Sequence, residues 1–251
     1  MKLAAIYNVW DGVELLRGSM DSVADGVDVF IIVYQDVSNY GEEFKPLENI
    51  DLSDYNCVFV KYKPTGTGAG YHERQKRNIG LTMARDQRCT HFLHMDCDEY
   101  YSDFLDAKKM YQNTGHDGTV CKLFTYFKKP TLRFENTDNY FVPFIHRLKG
   151  NSAAGVNEYP FYVDPTRRIN TDDVVEIDAV MHHFSYVRDD IERKVRNSTA
   201  VNNIKKSNLL RDYYDESIGT GSYVEDYKQK LIQVDDQFGI NHFLRPNTIS
   251  T

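Results

Sequence analysis

The chain has 251 residues, 41% of them hydrophobic and 27% charged, with a formal charge of −7 at pH 7. That length suits one large α/β domain, or one domain with an appended tail, and an acidic balance with no basic block excludes a binder of nucleic-acid phosphates. The four cysteines, Cys57, Cys89, Cys97 and Cys121, include no Cys-x-x-Cys pair, which excludes a zinc knuckle and a secreted disulfide framework and implies a reducing compartment.

The opening Met-Lys-Leu-Ala-Ala-Ile-Tyr-Asn turns polar too early for a signal peptide. No apolar run approaches the length that crosses a bilayer, so a cytoplasmic protein is expected, with peripheral attachment to a membrane surface left open. Residues 3–7 read as a first buried strand, and Asn8-Val9-Trp10-Asp11-Gly12 as a polar turn. A helix over 13–24 follows, with Leu15, Leu16, Met20 and Val23 near one face. Residues 27–34 form a continuous β-branched run, as in strands of two-sided parallel sheets, and 56–62 a third strand. A glycine-rich loop at 64–70 leads to a helix over 72–84 and a fourth strand at 91–95. This order predicts a doubly wound sheet of nucleotide-binding type.

Beyond residue 100 the pattern is less regular. Strands are expected at 120–127 and 140–148, as an antiparallel pair, and at 174–187, with a loop-rich stretch at 150–170. Helices are expected over 189–199, 203–214 and 223–237. The chain thus reads as one domain: a nucleotide-binding half (1–100), an acceptor half (101–190) and a helical C-terminal extension (191–251).

The most informative stretch is His91-Phe92-Leu93-His94-Met95-Asp96-Cys97-Asp98-Glu99. Its acids emerge at the carboxyl end of an apolar strand, where open α/β sheets bind ligands. Two carboxylates spaced i, i+2 can hold Mg²⁺ or Mn²⁺ and leave positions open for diphosphate oxygens; Asp residues also cap turns after strands. On the preceding helix Arg74, Arg77, Asn78 and Leu81 share a face, and basic and amide groups in its first turns suit an anion or a base edge. His182 and His183 alternate along their strand, so at most one faces a given site, where a neutral imidazole is a common third metal ligand. Eighteen Tyr and fourteen Phe serve equally as core or as sugar-stacking surfaces.

Taken in order, these pieces resemble the GT-A-fold glycosyltransferases, in particular the family 2-like group with an Asp-x-Asp metal motif. The likeness rests on Tyr7-Asn8-Val9-Trp10-Asp11-Gly12-Val13-Glu14-Leu15-Leu16, on Lys76-Arg77-Asn78-Ile79-Gly80-Leu81, on the strand ending Asp96-Cys97-Asp98-Glu99, and on His183-Phe184-Ser185-Tyr186 followed by Arg188 and Lys194. It spans roughly residues 1–200 and is densest over the first hundred. It implies an α/β GT-A fold whose mostly parallel central sheet is flanked by helices and a helical C-terminal layer. It implies transfer of a sugar from a nucleotide-diphosphate donor, UDP above others, to a glycan or glycoconjugate hydroxyl, as in polysaccharide biosynthesis.

By the same resemblance, Mn²⁺ or Mg²⁺ is held by Asp96, Asp98 and His183, with Asp96 acting directly or through water or ribose. Tyr7, Asn8 and Asp36 surround base and ribose, and Arg74, Arg77 and Asn78 lie near the nucleotide or diphosphate. An inverting reaction needs a carboxylate to deprotonate the acceptor. Glu158 is the first choice because it sits in the loop-rich stretch expected to meet the acceptor, with Asp178 and Asp164 as alternatives. Related enzymes often carry His-Glu where this chain has Asn157-Glu158. The segment 159–168, with aromatics and the pair Arg167-Arg168, reads as an acceptor platform, a lid or a packed surface loop. The rival readings are a haloacid-dehalogenase-like phosphohydrolase, which places its Asp-x-Asp on the first strand, a nucleotidyltransferase, and a non-catalytic sugar-nucleotide-binding relic.

Overall fold

The computed structural model describes residues 1–65, 68–198 and 206–244, and only the backbone at 206 and 207. Strand β1 (Leu3–Val9) pairs in parallel with β2 (Val29–Tyr34) on one side and β4 (His91–Asp96) on the other. Strand β3 (Cys57–Lys61) extends the sheet beyond β2, also in parallel. The chain steps outward from β1 to β3 and then returns to the far side of β1 for β4. Such a reversal opens a crevice at the carboxyl ends of the strands it separates.

Strict alternation divides the sheet between two cores. Leu3, Ala5 and Tyr7 of β1, with Phe30 and Ile32 of β2, pack under Leu16 and Met20 of α1 (Val13–Asp21) and Phe104, Ala107 and Tyr111 of α3 (Phe104–Thr114). Ala4 and Ile6, with Val29, Ile31 and Val33, pack under Leu81 and Ala84 of α2 (Ala69–Asp86). Helix α2 lies close to β1 because Gly80 has no side chain: a Cβ there would stand 2.1 Å from Ile6 Cγ2.

Past β4 the sheet turns mixed. Strand β8 (Val142–Arg147) is antiparallel to β4, and β6 (Gly118–Phe127) is antiparallel to β8, as expected for that pair. Strand β9 (Val174–Tyr186) runs parallel to β6 and takes the short β5 (Glu99–Tyr101) as an antiparallel neighbour, Glu99 opposite His183. Strand β5 and helix α3 lie where the sequence pattern indicated no element.

The C-terminal part departs from expectation. Helices α4 (Ile191–Asn197) and α5 (Lys206–Tyr214) are present, although parts of the expected 189–199 and 203–214 spans, and of the loop at 64–70, lie outside the described residues. Residues 223–237 are not helical. They form a hairpin of β10 (Tyr223–Val224) and β11 (Gln229–Gln233), turned through Lys228 at φ +52°. Strand β11 adds to the free edge of β7 (Leu132–Phe134), with Leu231 opposite Phe134. An edge strand offers unpaired backbone groups, and that tertiary demand outweighs the helix propensity of a Lys- and Gln-rich segment. Leu231 is fully buried with Phe127, Phe134, Ile191, Val195 and Leu209, so the C-terminal layer is helix plus hairpin.

Gly80→Ala is expected to destabilise the protein by about 1–3 kcal/mol through overpacking against Ile6. Gly70→Ala, on the same helix with nothing within 4 Å of its Cβ position, is expected to stabilise by about 0.5 kcal/mol. Urea unfolding of the two variants measures both; equal effects would contradict the close approach of α2 to β1.

Candidate functional site

One cleft opens at the carboxyl ends of β1, β2 and β4. It is lined by Asn8 at the end of β1, Trp10 and Asp11 after it, Gln35 and Asn39 after β2, and Glu73, Lys76 and Arg77 of α2. Asp96, Asp98 and Glu99 follow from β4, Asp164 and Arg167 from the loop before β9, and His183, Arg188 and Lys194 from β9 and α4. Among the described residues, nine buried side-chain polar atoms lack a hydrogen-bond partner, and seven belong to this lining: Asn8 Oδ1, Trp10 Nε1, Asp11 Oδ2, Gln35 Oε1, Arg77 Nη1, His183 Nδ1 and Arg188 Nη1. A buried polar group without a partner costs about 1–3 kcal/mol. Their convergence around one cleft therefore marks where bound water or a polar ligand would complete the hydrogen bonding.

The acids at the end of β4 are held by arginines from three other parts of the chain. Arg188 Nη2 donates to Asp98 Oδ2 in a short contact, Lys194 Nζ lies 3.4 Å from the same oxygen and His183 Nε2 3.5 Å. Arg167 Nη2 donates to Asp96 Oδ2 at 2.6 Å and also bonds Glu99, while Arg77 Nη2 lies 3.3 Å from Asp96 Oδ1. The Asp96 N–H donates to Glu99 Oε2 at 3.0 Å. Burial raises the Asp98 carboxyl, but Arg188, Lys194 and His183 outweigh it and hold the group well below the usual carboxylate range. At Asp96 burial is likewise outweighed, by Arg167 and Arg77. Glu99 ends above its usual value because burial, with Asp96 beside it, exceeds the pull of Arg167.

Local structure sets these arginines. Asp190 caps α4 by accepting from Arg193 N at 2.8 Å, and Arg193 in turn bonds Asp11 Oδ1 at 2.8 Å, drawing Lys194 over the cleft. Asp164 starts a 3-10 turn at Pro165–Arg167 by accepting from Thr166 N at 2.8 Å, which directs Arg167 inward. Gly12, at φ +76°, leaves room for Arg188: a Cβ there would lie 1.7 Å from Arg188 Nη1. Lys76 is buried among these groups, and burial lowers its ammonium to about 8 against the opposing pull of Glu73 and Asp96.

The sequence-derived residues divide clearly. Asn8, Arg77, Asp96, Asp98, His183 and Asp164 line the cleft, while His182 faces away, with its Nδ1 2.9 Å from Tyr126 Oη. Tyr7 is fully buried in the core, its hydroxyl 3.0 Å from Ser19 Oγ. Asp36 pairs with Lys61 at 2.5 Å, outside the cleft. Asn8, expected together with Tyr7, lines the cleft, and Gln35 stands there in place of Asp36. Arg74 packs beside Gly155 and Tyr71. Asn78 pins Ala154, accepting from its N–H at 2.9 Å and donating to its carbonyl at 3.1 Å. Glu158 and Asp178 are both exposed and outside the lining. The loop carries Glu158 to the surface, and Asp178 lies toward the amino end of β9, below the acids.

In the segment 159–168, Tyr159 packs on His146 and Phe161 on Phe141, while Asp164 and Arg167 enter the cleft. Sequence pattern does not single out Trp10, Asp11, Gln35 or Lys76 as site residues, and it marks Arg167 only as one of a pair in a loop read three ways. For Lys76 the available signal is a lysine on the same helix as Arg77, one position out of phase with the basic face.

The metal set implied by the resemblance is tested by the same contacts. A hard divalent ion needs open carboxylate lone pairs at about 2.0–2.6 Å. Three nitrogens already crowd Asp98 Oδ2, and both Asp96 oxygens face guanidinium groups. No group of three His, Cys, Asp or Glu side chains among the described residues is arranged to hold a metal ion. The donor set in this arrangement does not fit a divalent ion.

The depressed Asp96 and Asp98 groups contribute stability that is fully present above the unfolded-state value of about 4 and is lost as pH falls through the folded values. Asp98→Asn leaves Arg188 buried without its counter-charge, an expected loss of about 3–5 kcal/mol at neutral pH. It should also flatten the fall in stability below about pH 4. Urea unfolding between acid and neutral pH checks both; an unchanged acid limb in the variant would contradict the pairing.

No protein-family model and no curated protein matches the chain. Among solved structures it is similar to S. aureus TarS, at 15% identity over 85% of this chain and 43% of that one, with a TM-score of 0.44. It is similar to S. aureus TarS 1–349 in complex with UDP, at 15% identity over 87% and 72% of the two chains (TM-score 0.42). Mannose-1-phosphate geranyltransferase from Thermus thermophilus shows 12% identity over 60% and 51%, with a TM-score of 0.33. The chain thus spans 43% of the first of these proteins, and no helix among its described residues is long and apolar enough to cross a membrane. The described residues form a mixed α/β fold around one central sheet.

Proposed function

We propose that the cleft binds a nucleotide-diphosphate sugar and that the protein transfers the sugar to a hydroxyl of a glycan or glycoconjugate. The observation that supports this most is the convergence of seven orphaned polar atoms at the carboxyl ends of β1, β2 and β4. The amide oxygens of Asn8 and Gln35 suit donors on a base or ribose, and the free edges of Arg77 and Arg188 suit phosphate oxygens. Tyr140, Phe141 and Tyr186 are also in the lining.

In transfer, the bond between the anomeric carbon and the phosphate oxygen breaks, and a bond to the acceptor oxygen forms. Negative charge builds on the leaving nucleoside diphosphate, where fixed cations stabilise it most in a site shielded from water. In an inverting reaction the acceptor proton passes to a carboxylate. We assign that role to Asp164 in place of Glu158 or Asp178. It lines the cleft, its Oδ1 is fixed by Thr166 N, and it is only partly buried.

The test is release of nucleoside diphosphate from UDP-, GDP- and dTDP-sugars, with and without saccharide acceptors. Asp164→Asn is expected to lower turnover by about 10²–10⁴-fold while nucleotide affinity stays within about twofold. Glu158→Gln is expected to leave turnover unchanged. Full activity in Asp164→Asn would remove the base assignment, and no turnover of any sugar nucleotide would remove the transferase reading.

A further inference from the structure

Asp98 and Asp96 each engage Nη2 of a buried arginine and leave its Nη1 without a partner, whereas Arg167 is engaged through both Nη atoms by Glu99 and Asp96. Arg188, 5% exposed, spends Nη2 on Asp98 and has Nη1 unpartnered; Arg77, 1% exposed, directs Nη2 to Asp96 and also has Nη1 unpartnered. Guanidinium carries five donors in a rigid fork, so pairing with a carboxylate cancels net charge without exhausting donor capacity. Lys76, 4% exposed, lines the same cleft, and Lys194 reaches it from α4.

We propose that Asp96, Asp98 and Glu99 act as counter-ions that position Arg77, Arg167 and Arg188, and that the free edges of Arg77 and Arg188, with Lys76 and Lys194, bind the donor diphosphate directly, without a divalent ion. The inference rests on the nucleotide-sugar reading above and reverses the role that the Asp-x-Asp spacing implies. A divalent ion at Asp98 would have to displace Arg188 or sit beside it. At about 4 Å and an effective dielectric of about 20, each pair of unit charges interacts by about 4 kcal/mol, and the repulsion doubles for a divalent ion. The arginines are built into the fold through β9 and α2 and do not diffuse away. Lys76 has a purpose on this reading: a buried ammonium is costly, and a bound phosphate supplies the opposite charge.

The experiment is calorimetric titration of the wild-type chain with UDP, GDP and dTDP, in EDTA and again in Mn²⁺ or Mg²⁺. The nucleotide that binds is expected to do so with dissociation constants within about threefold of each other in the two conditions. Lys76→Met is expected to weaken binding in EDTA by about tenfold, one charge-assisted hydrogen bond, while raising the urea midpoint because a buried charge is removed. A gain of about tenfold or more on adding metal would overturn the metal-free site and keep the nucleotide reading. Binding unaffected by Lys76→Met would remove Lys76 from the site. Failure of all three nucleotides in both conditions would overturn the reading and this inference together.

Discussion

Three carboxylates within four residues, two of them buried, where β4 ends and β5 begins, are the constraint on which the rest of the site depends. Asp98 and Glu99 are each 2% exposed, and ionised groups in that setting repel one another and lose hydration unless cations are brought to them. The cations come from distant parts of the chain: Arg77 from α2, Arg167 from the turn before β9, and Arg188 from the turn after it. The acid cluster therefore ties α2, the loop before β9 and the β9–α4 junction to β4, and it orders the walls of the cleft. Preorganised donors of this kind need no rearrangement as charge develops on a leaving group.

Helix α4 extends the same logic to the mouth of the cleft. Arg193 bonds Asp11, and Asn197 Nδ2 donates to Glu42 Oε2 at 2.7 Å, so the helix bearing Lys194 is clasped to loops following β1 and β2. The Glu42 contact is more exposed than the pairs on Asp98 and Glu99 and correspondingly weaker. The seven orphaned atoms show where stability is given up: an apolar lining would hold the fold better but bind no polar ligand.

Local pattern made the parallel half of the fold legible. Residues 27–34 and 91–95 are continuous apolar runs flanked by polar turns, and the helix between β3 and β4 carries its apolar face at Leu81 and Ala84. The same continuity hid the phase of the strands. A strand buried on both faces shows no alternation of apolar and polar residues, so Tyr7 and Asp36 are indistinguishable by pattern from Asn8 and Gln35 as ligand contacts. Strand β11 reads as helix in the sequence because its identity comes from the edge of β7, a partner nearly a hundred residues away, and Leu231 alone carries the burial.

By itself the sequence determined that acids emerge at the carboxyl end of a buried strand in an α/β sheet, because apolar runs and their sharp ends depend on neighbours along the chain. It also determined that His182 and His183 face opposite ways, since that follows from strand periodicity. Only the tertiary structure decided what the acids meet. Asp-x-Asp spacing is compatible with a divalent ion or with guanidinium groups. The choice falls to Arg77, Arg167 and Arg188, which lie 19, 71 and 90 positions from their partners Asp96 and Asp98. A charge that distant in sequence becomes a neighbour only through the sheet order, and electrostatic pairing acts over a few ångströms of space and not over residues of chain.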